Sequence, residues 1–143
     1  MSLASISDYE EMLKKKKKEL PQIAEKIVRR ISEVGLQDNY KSAELLPIEN
    51  DGAKVSGGIR TTDEKDTYRE FGTGVVGSQN PHPDIMSGWQ YDVNEHGEKG
   101  WIYPKGDGTY GWTKGIAAQK KFYNAMERME HALPFVAEEE FNK

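Results

Sequence analysis

The chain has 143 residues, a mass of 16.2 kDa and a formal net charge of −4 with pI ≈ 5.5, the size of one domain able to bury about 16,000 Å² on folding. It contains no cysteine, which excludes disulfides, zinc fingers, thiol nucleophiles and iron–sulfur clusters, and its acidic balance argues against a general nucleic-acid-binding surface. No run reaches the roughly 18 apolar residues of a membrane span, and Met1-Ser2-Leu3-Ala4 leads into a polar helical pattern rather than a signal peptide, so a soluble intracellular protein with no membrane partner is expected.

A single domain over residues 1–143 is expected, in four stretches. Residues 1–36 read as helix and 37–73 as strands and turns. Residues 74–115 read as a glycine- and aromatic-rich meander that holds all 3 Trp, and 116–143 as helix again. Ser7 with Glu10 spells a capping box, and Tyr9, Leu13, Leu20, Ala24, Ile27, Ile31 and Val34 share one helical face. The stripe keeps its phase across Pro21, which predicts one kinked helix, closed by Gly35 as a left-handed cap. Lys14 to Lys18 cover every face of that helix, so Lys16 lands on the apolar stripe. The run reads as a solvated turn, with a partner or phosphate backbone as the alternative.

Ala43 to Glu49, the turn Asn50-Asp51-Gly52 and Ala53 to Thr62 spell a hairpin, with Gly57-Gly58 marking a bulge or a close backbone approach. The alternation of Tyr68 with Glu70 predicts a third strand over Thr67 to Phe71. Segments 89–93 and 101–112 complete the expected sheet. The last helix is expected from about Ile116, with Ala118, Phe122, Ala125, Met129, Ala132 and Val136 at 3–4 spacing, Met126 in the core, and Pro134 as a kink or stop. The fold class that results is α+β: a mainly antiparallel sheet with the N-terminal and C-terminal helices packed on one face, plus a Gly/aromatic β-meander.

Chemistry-bearing patterns are sparse. His82, His96 and His131 stand at no metal-ligand spacing, and no nucleophile is paired with a base, so no catalytic residue, metal or cofactor is expected and the chain reads as a non-enzyme. Gly72-Thr73-Gly74-Val75-Val76-Gly77 matches the G-x-G-x-x-G spelling, but a proline-rich loop follows where a dinucleotide site needs a βαβ unit; a sharp turn with tight packing is expected instead. In the aromatic segment, Trp89, Tyr91 and Val93 would share one strand face, followed by strands at Trp101-Ile102-Tyr103 and Thr109 to Thr113. Too rich in glycine to form its own core, this segment is expected to pack partly on the body. It would present Trp89, Tyr91, Trp101, Tyr103 and Trp112 to a partner or a neighbouring subunit, with Trp101 as the hot spot. The rival reading is a platform for a sugar ring or a base, since both stack on aromatics.

Tyr68-Arg69-Glu70-Phe71-Gly72-Thr73-Gly74 resembles the "Y-x-E-F-G-T-G" element of the small tail-component, or neck, proteins of long-tailed bacteriophages. The likeness continues in order through Pro81-His82-Pro83, Gly88-Trp89-Gln90-Tyr91, Trp112-Thr113-Lys114-Gly115, Phe122 and Asn124-Ala125. Two departures stand out: Lys121 occupies the place before Phe122 where many members have a proline, and no "T-G-x-L" turn follows the first helix. The resemblance implies a phage or prophage minor structural protein that works in head–tail joining or tail completion. It would assemble as a ring with itself and with other neck, head or tail proteins, in the bacterial cytoplasm and then in the virion. DNA would pass its channel without sequence-specific binding. Glu70, Phe71, Gly72, Thr73, Gly74, Thr113 and Gly115 would then be structural motif residues. A carbohydrate- or peptide-binding module using Trp89, Trp101 and Trp112 is the alternative.

Overall fold

A computed structural model describes residues 5–84, 88–91 and 99–143. The architecture is α+β, with long N- and C-terminal helices packed together and small antiparallel sheets. The chain divides into two compact units, one of Met1–Gln37, Glu44–Arg60 and Ala125–Lys143, the other of Asp38–Ala43 and Thr61–Asn124.

The first unit is built on α1 (Ile6–Leu36), 31 residues and so about 46 Å long. Its capping box lies two residues earlier than the Ser7–Glu10 spelling. Ser5 Oγ accepts from the Asp8 N–H at 3.1 Å, and the Asp8 carboxylate accepts from the Ser5 N–H at 2.9 Å, an arrangement that Asp performs as well as Glu because both supply the returning oxygen. Hydrogen bonding to Ser5 holds the Asp8 carboxyl below its usual range. Pro21 sits inside the continuous helix. Gly35 is not the cap that the sequence suggests: it remains helical and buried, and Gln37 caps with extended geometry. Gly35 has a different use, since a Cβ there would stand 2.5 Å from the Met129 sulfur.

The partner helix is α4 (Lys121–Phe141), whose residues from Ala125 onward belong to this unit. Gly35 meets Met129 and Lys16 meets Phe141, so the two helices run antiparallel. Lys16, on the apolar stripe as expected, is half-buried; its Nζ donates to the Phe141 carbonyl at 2.9 Å and lies 5.4 Å from the Phe141 ring centre. A cation at the carbonyl end of a helix meets the negative end of its dipole. Glu140 is buried between Arg30 and Lys143, at 3.0 and 2.7 Å, and the Lys143 contact, then burial outweighed by Arg30, leaves its carboxyl below the usual range. Met126, expected in the core, is 60% exposed.

The Asn50-Asp51-Gly52 turn joins β2 (Glu49–Asn50) to β3 (Val55–Ser56) in antiparallel register, Glu49 opposite Ser56 and Asn50 opposite Val55. Gly57 then marks the close approach that its position implies, with a would-be Cβ only 2.7 Å from Val28 Cγ1. The flanking strands β1 (Ala43–Leu45) and β4 (Ile59–Thr61) pair with each other, and the division between the units runs through this pair. The expected long strands 43–49 and 53–62 are thus broken into short ones, and among the described residues the sheets are three separate two-stranded pieces.

In the second unit the largest correction concerns Thr67 to Phe71. It is not a strand but part of α2 (Lys65–Phe71), and Gly74–Gln79 forms a further short helix, α3. The period of 2 at Tyr68 and Glu70 misleads because the buried face of α2 is polar: Asp66 and Glu70, spaced i and i+4, are the inward residues. The glycine motif therefore follows a helix rather than a strand, although it does open one. The meander appears as β5 (Trp101–Pro104) and β6 (Tyr110–Thr113), antiparallel, with Trp101 opposite Thr113 and Ile102 opposite Trp112. β7 (Gly115–Ile116) bridges back to Thr73 and Gly74. Of the expected strand 89–93, residues 89–91 are not in a strand and Val93 lies outside the described residues, as does His96.

Candidate functional site

The motif residues converge on one buried carboxylate. Glu70 accepts four hydrogen bonds: Oε1 from Tyr40 OH at 3.0 Å and from the Phe122 N–H at 2.7 Å, and Oε2 from His82 Nε2 at 2.7 Å and from the Tyr123 N–H at 3.2 Å. His82 Nδ1 accepts from the Asp84 N–H at 3.0 Å, so Nε2 carries the hydrogen and donates. A carboxylate has about four acceptor sites, and here each has a donor. The two backbone donors lie in the first turn of α4, which otherwise leaves its first N–H groups unpaired. Tyr40 is pushed upward in pKa by burial and, next, by the Glu70 charge. Phe71 stacks on Trp89 at 5.2 Å and meets His82 at 4.5 Å between ring centres, while Tyr40 meets Phe122 edge-on at 5.5 Å.

One turn earlier on α2, Asp66 accepts from the hydroxyls of Ser42 and Thr61 and pairs with Arg69, which also reaches Asp63 at 3.2 Å. Burial alone would raise the Asp66 pKa, but the hydrogen bonds from Ser42, Thr61 and Arg69 outweigh it and hold the carboxyl below its ordinary value. A cleft of about 520 Å³ lies over this group, lined by Lys41, Arg69, Gln119 and Lys121 among others. Both of its carboxylates are committed to Arg69, so neither is placed as a free base. Because the folded pKa of Asp66 is depressed, its stabilisation is present above the ordinary carboxylate range and is lost as pH falls through the folded value. Urea unfolding between about pH 5 and pH 2 should therefore show stability falling with acid. The slope should be shallower in Asp66→Asn; an unchanged slope would remove Asp66 from the acid response.

The remaining motif residues tie the segment after β6 to the loop after α2. Thr73 Oγ1 accepts from the Ile116 N–H at 3.2 Å, Lys114 O accepts from the Val76 N–H at 3.2 Å, and Thr113 Oγ1 accepts from the Gly115 N–H at 2.9 Å. Cβ atoms would lie 2.8 Å from Ile116 O at Gly72, 2.4 Å from Lys114 O at Gly74 and 1.8 Å from Thr73 O at Gly115. Backbone passes backbone here at a separation only glycine allows.

The five aromatic residues expected at an interface divide. Trp89 is half-buried, donates Nε1–H to Gly72 O at 2.7 Å and stacks on Phe71. Tyr91 is half-buried, its OH accepting from the His82 N–H at 3.3 Å and its carbonyl from the Gly74 N–H. Trp101 is half-buried with its ring against Gly74. Tyr103 lies beside Gly111 and is 38% exposed. Trp112 is 59% exposed. The register explains the division: directly opposed residues share a face and neighbours alternate, so Trp101 and Tyr103 line the inner face of the hairpin, while Ile102, Pro104, Tyr110 and Trp112 form the outer one. Ile102 and Tyr110, which the sequence reading did not single out, are 66% and 72% exposed; the two-residue period through Trp112 is the signal that could have found them. Tyr40, Ser42, Asp66 and Arg69 were also missed, and the Asp66–Arg69–Glu70 spacing on a helix could have pointed to them.

Among the described residues no group of three or more His, Asp or Glu side chains is placed to hold a metal, and no helix is long and apolar enough to cross a membrane. Comparison with family models, with curated proteins and with solved structures gives no match.

Proposed function

We propose that this chain is a phage or prophage virion structural protein that acts in head–tail joining or tail completion by ring assembly between head and tail. The observation that carries this reading is the outer face of the β5–β6 hairpin. It is an apolar row of Ile102, Tyr110 and Trp112, each more than half exposed, on a hairpin whose far end is pinned by the glycine contacts of the motif residues. A contiguous exposed apolar patch marks an interaction site more often than chance. The thin core points the same way. Among the described residues only Tyr40, Ala125 and Val136 are buried apolar side chains, against sixteen large ones that are exposed. The partners would be further copies of the chain and other neck, head or tail proteins, and a net charge of −4 suits a channel through which DNA passes without adhering.

The sugar- or peptide-binding alternative draws less support. It needs Trp89, Trp101 and Trp112 on one platform, whereas Trp101 and Trp112 lie on opposite faces of the hairpin and the Trp89 indole is engaged with Gly72. The deciding experiment is deletion of the gene in the phage or prophage that carries it, with electron microscopy of the lysate. Filled heads and separate tails, restored to joined particles by the wild-type gene but not by Trp112→Ala, are the expected result. Joined, infectious particles from the deletion would overturn the reading.

A further inference from the structure

The cleft over Asp66 has a volume of about 520 Å³, inside the roughly 300–1,000 Å³ of small-molecule sites. Its lining residues all belong to the second unit. The acceptors in its wall are already taken. Asp63 Oδ1 accepts from the Lys65 N–H at 2.9 Å and Oδ2 from Arg69 Nη1 at 3.2 Å, while Asp66 Oδ1 accepts from Arg69 Nη1 and Oδ2 from the Ser42 and Thr61 hydroxyls. The Tyr40 hydroxyl is given to Glu70.

The groups left over are donors. Both acids lie against Nη1 of Arg69, so the other edge of that guanidinium, Nε–H beside Nη2–H, has no acceptor among the described residues. Neither nitrogen is sealed off from solvent: among the described residues the buried side-chain atom without a partner is Arg128 Nε. Lys41 and Lys121 pair with no carboxylate among the described residues, and Lys121 Nζ lies 5.4 Å from the centre of the Tyr40 ring, which attracts its charge to the cleft wall. The Gln119 carboxamide adds an NH2 donor. Backbone contacts fix the spacing of these groups. The Arg69 carbonyl accepts from the Gln119 N–H at 2.7 Å and the Glu70 carbonyl from the Lys120 N–H at 3.4 Å. Lys120 takes φ +59°, a left-handed conformation that few residues with a Cβ adopt, and so turns the chain into α4 at Lys121.

We infer that this cleft binds an oxyanion, the carboxylate or phosphate group of a small molecule, with two of its oxygens on the Nε–Nη2 edge of Arg69 and with Lys41 and Lys121 supplying flanking charge. Parallel N–H groups on one guanidinium edge match two oxygens of a single carboxylate or phosphate. Asp63 and Asp66 hold the guanidinium by its other side, and each of their oxygens is covered by a donor, so they act as positioning residues for the fork. Three cations stand against two carboxylates in the wall, which leaves the cleft positive. The site is independent of the ring-assembly reading, and neither depends on the outcome of the other's test.

The test is an NMR titration of the ¹⁵N-labelled full chain at constant ionic strength, with inorganic phosphate in one series, succinate in a second and chloride as the control. The expected result is a saturable shift of the Arg69 Nε–H and Gln119 side-chain NH2 signals with phosphate, succinate or both, and none with chloride; the series that responds identifies the group bound. Lys41→Gln combined with Lys121→Gln should weaken binding about tenfold, the loss of charge-assisted hydrogen bonds. Arg69→Lys keeps the charge but not the fork, and should weaken it at least as much. Lys14→Gln combined with Lys18→Gln, on α1 and away from the cleft lining, should leave it unchanged. The lysine pair carries the comparison if Arg69→Lys disturbs the native spectrum. Absence of a saturable shift with either anion overturns the inference, and so does binding that survives the cleft substitutions or is lost with Lys14 and Lys18.

Discussion

Replacing Glu70 with alanine is expected to lower the stability of the protein by about 3–5 kcal/mol, the range found when one partner of a buried polar or charged pair is removed. For a chain of this size that corresponds to a fall in Tm on the order of 10 °C. The magnitude follows from what is left behind. The substitution strands the Tyr40 hydroxyl, His82 Nε2 and the N–H groups of Phe122 and Tyr123, all four of which now end on the carboxylate. Buried donors without acceptors cost about 1–3 kcal/mol each, and partial relaxation keeps the total below their sum. Glu70→Gln is the sharper variant. It preserves shape but turns one acceptor oxygen into an NH2 group that faces two donors, so most of the loss should remain. Tyr40→Phe removes one donor and leaves the carboxylate three, so a loss of only about 1 kcal/mol is expected. Equilibrium urea unfolding of the three variants checks the order. Glu70→Gln with wild-type stability would show that the carboxylate is not the organising group.

The residues around Glu70 show how far the sequence could be read. The long outer helices were legible because their apolar stripes repeat at 3–4 spacing over many turns, and Lys16 was placed on its stripe by the same arithmetic. The Asn50-Asp51-Gly52 turn and the β5–β6 hairpin were legible through turn chemistry. α2 was not, because hydrophobic periodicity presumes that inward-facing residues are apolar, and there they are Asp66 and Glu70. α3 was not legible either: Gly74-Val75-Val76-Gly77 has low helix propensity, and it is helical where the Ile116 backbone and the Gly72 turn hold it. His82 read as isolated because its partner lies 12 positions away on a segment taken for a strand. In the aromatic segment the residue types were informative but their faces were not, since only the pairing of Ile102 with Trp112 decides which side each Trp occupies. That register sets Trp101 against Gly74 and Trp112 on the outer face.

The glycines of the motif connect this buried arrangement to the exposed face, and Gly115→Ala tests the connection. Gly115 has φ +102°, a conformation that costs a residue with a Cβ about 1–2 kcal/mol. Its Cβ would also fall 1.8 Å from Thr73 O and 2.4 Å from Thr73 C. Both are backbone atoms, so no side chain can swing aside; relief requires parting the Thr73–Ile116 and Gly74–Gly115 bridges, and overpacking of this kind adds about 1–3 kcal/mol. A total loss of about 2–5 kcal/mol is expected from the two terms together. Gly106→Ala is the control, because Gly106 has φ +88° and nothing within 4 Å of a Cβ; it should lose only the conformational part, about 1–2 kcal/mol. Denaturant unfolding of both variants gives the difference, and hydrogen exchange locates it. In Gly115→Ala the Ile116 and Val76 amides, bonded in the wild type to Thr73 Oγ1 and Lys114 O, should exchange faster, and in Gly106→Ala they should not. Equal losses in the two variants would mean that the backbone approach at Gly115 contributes nothing beyond its dihedral angle, and the pinning of the hairpin by the motif would then have no energetic basis.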